Sequence, residues 1–146
     1  MPIFGTTSPI TYDVTAALAR KTVNVHIDSL MEAMWIDIAS ERAAGYELVS
    51  VSEVHTAAAT DGGAVTLDVK ATPDDTTAPS GGRTLLSSTF NLKSTANTRV
   101  TKSAGAGLTA TAADRTFATD ERIALVPSGV LTGYAGGLVQ LIFAPL

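Results

Sequence analysis

The chain contains no cysteine, which excludes disulfide frameworks, thiolate metal sites and thiol nucleophiles and leaves core packing and self-association to stabilise the fold. Charge is also scarce. Only 16% of the 146 residues are Asp, Glu, Lys or Arg, and 14 acids against 10 bases leave a net charge of -4. Such a chain has no field to hold a polyanion, so nucleic acid is not an expected partner. Aromatic residues amount to 5% and do not cluster along the sequence, so core and interface packing is expected of them before any sugar-binding platform. No apolar run reaches the length of a membrane span, and the opening Met1-Pro2-Ile3-Phe4-Gly5 lacks the basic and apolar stretches of a secretory signal. The expectation is a soluble chain made in the cytoplasm, with no membrane partner.

What the chain does have is aliphatic and small residues, 45% hydrophobic in all, in a length that suits one domain with one core. From Tyr46 to Leu146, apolar and polar residues alternate and are interrupted roughly every ten residues by Gly, Pro, Asp and Ser, the pattern of an all-β sandwich. Upstream, Val23, Val25 and Ile27 alternate with Thr22, Asn24, His26 and Asp28 and predict a strand. Residues 1–21, with Pro2, Gly5 and Pro9 ahead of Tyr12, Val14 and Leu18, read either as an arm docking on another subunit or as a first edge strand. Residues 22–146 form the expected sandwich domain.

Local rules conflict over Ser29 to Gly45. Ser29 with Glu32 makes a capping-box pattern, Leu30, Met31, Met34, Trp35 and Ile38 share a helical face, and Gly45 could cap the end. Yet Met34, Ile36 and Ile38 also alternate as a strand would. Further on, a strand from Tyr46 to Thr56 and another from Val65 to Lys70 are expected to form a hairpin across the turn Ala57 to Gly63. Thr72 to Gly82 is expected to be an exposed polar loop without regular structure. Further strands are expected at Thr84–Leu92, Thr98–Ser103, Leu108–Ala112, Arg122–Val126 and Leu138–Phe143. Eight or nine strands from Thr22 onward suit an antiparallel jelly-roll-like sandwich, with a closed barrel as the other candidate.

Side chains that could do chemistry are sparse. His26 and His55 each hold an alternating strand position without further ligands at metal-binding spacing, and both are expected to be strand-surface histidines, so no metal is assigned. No Gly-x-Ser-x-Gly elbow surrounds any serine. Asp74-Asp75 and Asp120-Glu121 are expected to be solvated turn formers, not the paired acids of a glycosidase. Calcium at Asp61, Asp74 or Asp75 would need more oxygen ligands than the sequence displays. Gly62-Gly63, Gly81-Gly82 and Gly136-Gly137 lack a lysine at phosphate-loop spacing and are expected to be hairpin turns. No catalytic residue and no cofactor site follow, and an enzyme is not expected.

Particular words in the chain resemble a recurring type of small structural protein of tailed bacteriophages. They are Val51 to Thr56 (VSEVHT), Asp61 to Lys70 (DGGAVTLDVK), Leu85 to Thr98 (LLSSTFNLKSTANT), Leu108 to Arg115 (LTATAADR) and the run from Asp120 to Phe143. One departure is Thr119-Asp120-Glu121-Arg122, where such sequences commonly carry a Gly-Asp-Arg turn, and the N-terminal third matches poorly. The resemblance implies a jelly-roll-like sandwich, favours Met34 to Ala39 as a strand, and implies a virion structural role, in particular capsid decoration. On that basis the expected partner is a phage major capsid protein, bound at the head surface of a virion assembled in the host cytoplasm. Self-association is expected, a trimer in preference to a dimer. Pro2, Ile3, Phe4, Ile10, Tyr12, Val14 and Leu18 are the expected docking residues, because an extended arm can add main-chain hydrogen bonds to a sheet edge. The competing expectation is a carbohydrate-binding or host-adhesion module of a fibre or tail.

Overall fold

Strict alternation of aliphatic and polar side chains can be satisfied only if one face of each strand is covered, and the fold covers it by laying two antiparallel sheets face to face. The computed structural model describes residues 20–36, 45–73, 76–117 and 120–146. In chain order the strands are β1 (Lys21–Ile27), β2 (Met34–Ile36), β3 (Tyr46–Val54), β4 (Thr66–Pro73), β5 (Arg83–Thr84), β6 (Phe90–Asn91), β7 (Val100–Ser103), β8 (Thr116–Phe117), β9 (Glu121–Ser128) and β10 (Gly137–Pro145). A one-turn helix, α1 (Ala112–Arg115), precedes β8, and a 3-10 turn spans Pro79–Gly81. One sheet runs β1-β10-β3-β7, with β8 also on β3; the other runs β2-β9-β4-β5, with β6 also on β4. The all-β sandwich is therefore the architecture of the chain.

The inner faces meet in a largely aliphatic core. Leu48 and Val51 of β3, Val139, Leu141 and Phe143 of β10, Leu67 and Val69 of β4, and Ile123 and Leu125 of β9 are all fully buried. Each such side chain contributes roughly 1.5–3 kcal/mol relative to exposure. β1 follows its predicted alternation, with Val23 and Val25 half-buried, Ile27 buried and His26 exposed.

The contested segment resolves toward strand where it is described. Met34 pairs with Leu125 and Ile36 with Ile123, while residues 37–44 lie outside the described residues. No helix starts at Ser29, because Asp28 closes a tight turn there instead: its side chain accepts from the Leu30 N–H at 2.8 Å and its carbonyl from the Met31 N–H at 3.1 Å.

Four local expectations are corrected. First, β3 and β4 form no hairpin but lie in different sheets. The connecting segment 55–65 crosses between them, held by backbone bonds from Ala59 to the Leu92 carbonyl and from Thr60 to the Thr132 carbonyl. Gly62-Gly63 therefore turns the crossing chain. Gly136-Gly137 likewise is no hairpin turn, since β9 and β10 are also in different sheets; Gly136 has φ +61°, and a Cβ there would lie 2.1 Å from Thr56 Oγ1. Second, the expected strand Thr84–Leu92 breaks into β5 and β6. Leu85 and Leu86 are both buried, and two successive inward residues violate the two-residue period of a strand. Third, Leu108–Ala112 is no strand: Leu108 makes an isolated bridge to Leu86, and α1 begins at Ala112. Fourth, regular structure enters the expected loop from 72 to 82, where β4 continues to Pro73 and the 3-10 turn follows.

Candidate functional site

A β-bulge decides what the inner face of β3 carries. Phe143 of β10 pairs with Leu48 and Ile142 with Ser50, so Val49 is an extra residue in the ladder. An extra residue switches the alternation. Tyr46 and Leu48 point inward before the bulge, and Val51, Glu53 and His55 point inward after it. A carboxylate and an imidazole are thereby placed in the core, both at 0% exposure. This corrects the expectation that His55 lies on the strand surface.

Burying these groups is costly unless they are bonded. His55 Nδ1 lies 2.8 Å from Glu53 Oε1, and its Nε2 lies 3.1 Å from the Ser94 carbonyl. Tyr134 donates its hydroxyl to the same Glu53 oxygen at 2.9 Å, and its ring packs 5.3 Å from the imidazole, centroid to centroid. Which ring nitrogen donates depends on the imidazole tautomer: a hydrogen on Nδ1 is given to Glu53, and one on Nε2 to the Ser94 carbonyl. Burial pushes the Tyr134 hydroxyl far above the ordinary tyrosine range, and its hydrogen bond to Glu53 and the charge of that group push it further.

The same side chains join three separate pieces of chain. His55 holds the loop 92–99 through Ser94, with the Asn97 N–H returning 2.7 Å to the His55 carbonyl. Tyr134 holds the loop 129–136, which also pairs through Ala135 with Ala57. Glu53 and His55 are fully buried, and their contacts tie the loops 92–99 and 129–136 to β3. Glu53 Oε2 and Ser94 Oγ, both buried, have no hydrogen-bond partner among the described residues.

Several other charged side chains hold loops or strand ends. Arg115 is buried and donates to Glu47 Oε1 through Nη2 at 2.8 Å and through Nε at 3.2 Å, while its Nη1 binds the carbonyls of Thr109 and Ala110. Lys102 is buried against Phe90 with its ammonium 2.9 Å from Ser88 Oγ, and desolvation lowers its pKa. Arg83 binds Glu121 and the Thr116 carbonyl. Glu121 is thus an ion-paired first residue of β9, which corrects its reading as a solvated turn acid. Asp61 caps its own turn through the Gly63 N–H at 3.0 Å, and Asp74 and Asp75 lie outside the described residues. Among the described residues no three His, Cys, Asp or Glu side chains gather as a metal site would require, and no described helix is long and apolar enough to cross a membrane.

The expected docking residues Pro2, Ile3, Phe4, Ile10, Tyr12, Val14 and Leu18 all lie outside the described residues. The described surface offers other apolar groups. Leu30 is 85% exposed at the tip of the Asp28 turn, and Val130 is 57% exposed in the loop 129–136. Sequence reasoning missed both, because an exposed leucine or valine in a loop carries no periodic signal. Topology puts them at one end of the sandwich, where the segments 28–33, 55–65, 92–99 and 129–136 gather. Trp35 stands 43% exposed on β2, with the Arg122 guanidinium 4.2 Å over its ring. No protein-family model matches the chain, and no curated protein matches it.

Proposed function

We propose that the protein is a non-enzymatic structural protein that attaches to a larger protein shell, and specifically a decoration protein on the head of a tailed phage. The observation that carries the reading is a rigid sandwich presenting large apolar side chains at one end, Leu30 in a hydrogen-bonded turn and Val130 on a loop tied to the core through Tyr134. Apolar groups held out in a fixed geometry lose little entropy on docking, which is the property of an attachment surface. The resemblance of the words between Val51 and Phe143 to small phage structural proteins supplies the choice of a capsid as the shell. Attachment is non-covalent and repeated: a self-associated unit, preferably a trimer, bridges neighbouring capsid subunits, and many modest contacts sum to a strong one.

Cryo-microscopy of heads incubated with the purified protein is the test. Regular density on the outer shell is expected, and the Leu30→Asp, Val130→Asp double variant is expected to reduce occupancy while changing folding stability by no more than ~0.5 kcal/mol per site. Density confined to tails or fibres, accompanied by saturable binding on a glycan array, would replace this reading with an adhesion module.

A further inference from the structure

We infer that the outer edge of β1 is a self-pairing site, at which Lys21–Ile27 of two copies of this chain meet as antiparallel strands about a two-fold axis through Asn24. The inference stands on the edge itself and not on the capsid reading, and a two-fold contact of this kind links single subunits or whole trimers alike.

An edge strand points alternate N–H and C=O groups away from its sheet, and folds blunt such edges with short strands, proline, bulges or charge. The other edges of the two sheets are built from short pieces: β5, β6 and β8 have two residues each, β2 three and β7 four. β1 has seven. Its pairing with β10 runs in step from Lys21–Phe143 to Ile27–Gly137, so no bulge bends it. It contains no proline and no acid, and its only lysine or arginine is Lys21 at its start. Among the described residues no strand pairs with its outer side. The edge is thus long, straight and nearly uncharged, which are the properties of a strand that takes a partner.

The partner that fits is a second copy, because the strand is its own complement. A two-fold axis through Asn24 gives the one register that uses all seven residues, and it sets Val23 opposite the second copy's Val25, Thr22 opposite His26 and Lys21 opposite Ile27. No two lysines and no two histidines then face each other, so the repulsion of like charges across a strand pair does not arise. On the inner face, the half-buried Val23 and Val25 pack against the core, and pairing covers the flank that they still expose. On the outer face, Gln140 donates to Asn24 Oδ1 at 3.1 Å. A carboxamide has two donors and a second lone pair beyond that bond, so the two Asn24 side chains meeting at the axis can bond each other.

Sedimentation velocity of the full chain between about 1 μM and 1 mM covers the affinities of so small a contact. The wild type is expected to reach twice the mass of the Asn24→Lys and Asn24→Asp variants at the same concentration. In each variant like charges meet at the axis. An equimolar mixture of the two sets a lysine opposite an aspartate and is expected to recover the doubled mass. Asn24 is exposed, so both variants keep the fold, which thermal unfolding checks. A wild type with the mass of the variants across the whole series, or a mixture that stays at their mass, overturns the pairing. Amide exchange of the wild type gives a second reading that needs no variant: alternate β1 amides are expected to exchange more slowly as concentration rises, while those of β9 stay constant. Exchange in β1 that is independent of concentration also overturns it.

Discussion

Replacing Tyr134 by Phe removes one oxygen atom, and the structure determines both the size and the pH dependence of the effect. The lost group is a buried donor to Glu53 Oε1 at 2.9 Å. A hydrogen bond to a charged group contributes roughly 1.5–3 kcal/mol, so Tyr134→Phe is expected to be less stable than the wild type by about 2 kcal/mol near pH 7. The order then reverses in alkali. The folded protein holds the Tyr134 proton far more tightly than the unfolded chain, because burial and Glu53 both raise its pKa. Below the ordinary tyrosine value of about 10 both states keep the proton and nothing changes. Above it the unfolded chain ionises while the folded state does not, and the wild type loses about 1.4 kcal/mol for each further pH unit. The Phe variant lacks that loss, so the two stability curves should cross about one and a half units above the tyrosine value, near pH 11.5. Urea unfolding followed by Trp35 fluorescence, at intervals from pH 7 to 11.5, gives both curves, and the other tyrosines cancel in the difference. A stability difference that stays constant across the range would refute the reasoning, since it would mean that Tyr134 ionises alike in the folded and unfolded chain.

Two further perturbations test other parts of the frame. Arg115→Met removes the donors to Glu47 and to the carbonyls of Thr109 and Ala110; a loss of about 1.5–3 kcal/mol is expected in chemical denaturation, and the double variant with Glu47→Gln should lose less than the sum. Gly136→Ala puts a Cβ into Thr56 Oγ1 at a φ of +61° and is expected to cost at least 1–2 kcal/mol by thermal unfolding, roughly the cost of a strained backbone residue, with Thr56→Ala restoring only the steric share.

The sandwich was legible because long aliphatic alternation leaves few other solutions. β1, β3, β9 and β10 lie where the period of two puts them, within a few residues at their ends. Pairing was harder to read. Two strands joined by a short Gly-rich segment usually make a hairpin, yet β3 and β4 lie in opposite sheets, since nothing local in Ala57 to Val65 encodes that its backbone will bond to residues 92 and 132. The histidine was misread for a related reason. Glu53 and His55 sit two apart, as residues on one strand face do, but which face depends on the bulge at Val49, an ordinary strand residue with no signature of its own. The one visible clue was polar: without a bulge, the inward set after Leu48 would have been Ser50, Ser52 and Val54, a poor core beside Val51.

The position of β10 sets the order in which the chain can complete itself on the ribosome. β10 lies between β1 and β3 and pairs with both, so Lys21 waits for Phe143 and Val51 for Leu141. Every described strand of the other sheet is already synthesised by Ser128. A nascent chain at that stage can zip β2, β9, β4, β5 and β6, but it holds β1 and β3 apart with their aliphatic faces bare. Such a half-built sandwich exposes sticky edges, and sheet pairing across this much sequence is slow. Synthesis of β10 is thus the event that closes this sheet, because only then do β1 and β3 gain the strand that lies between them.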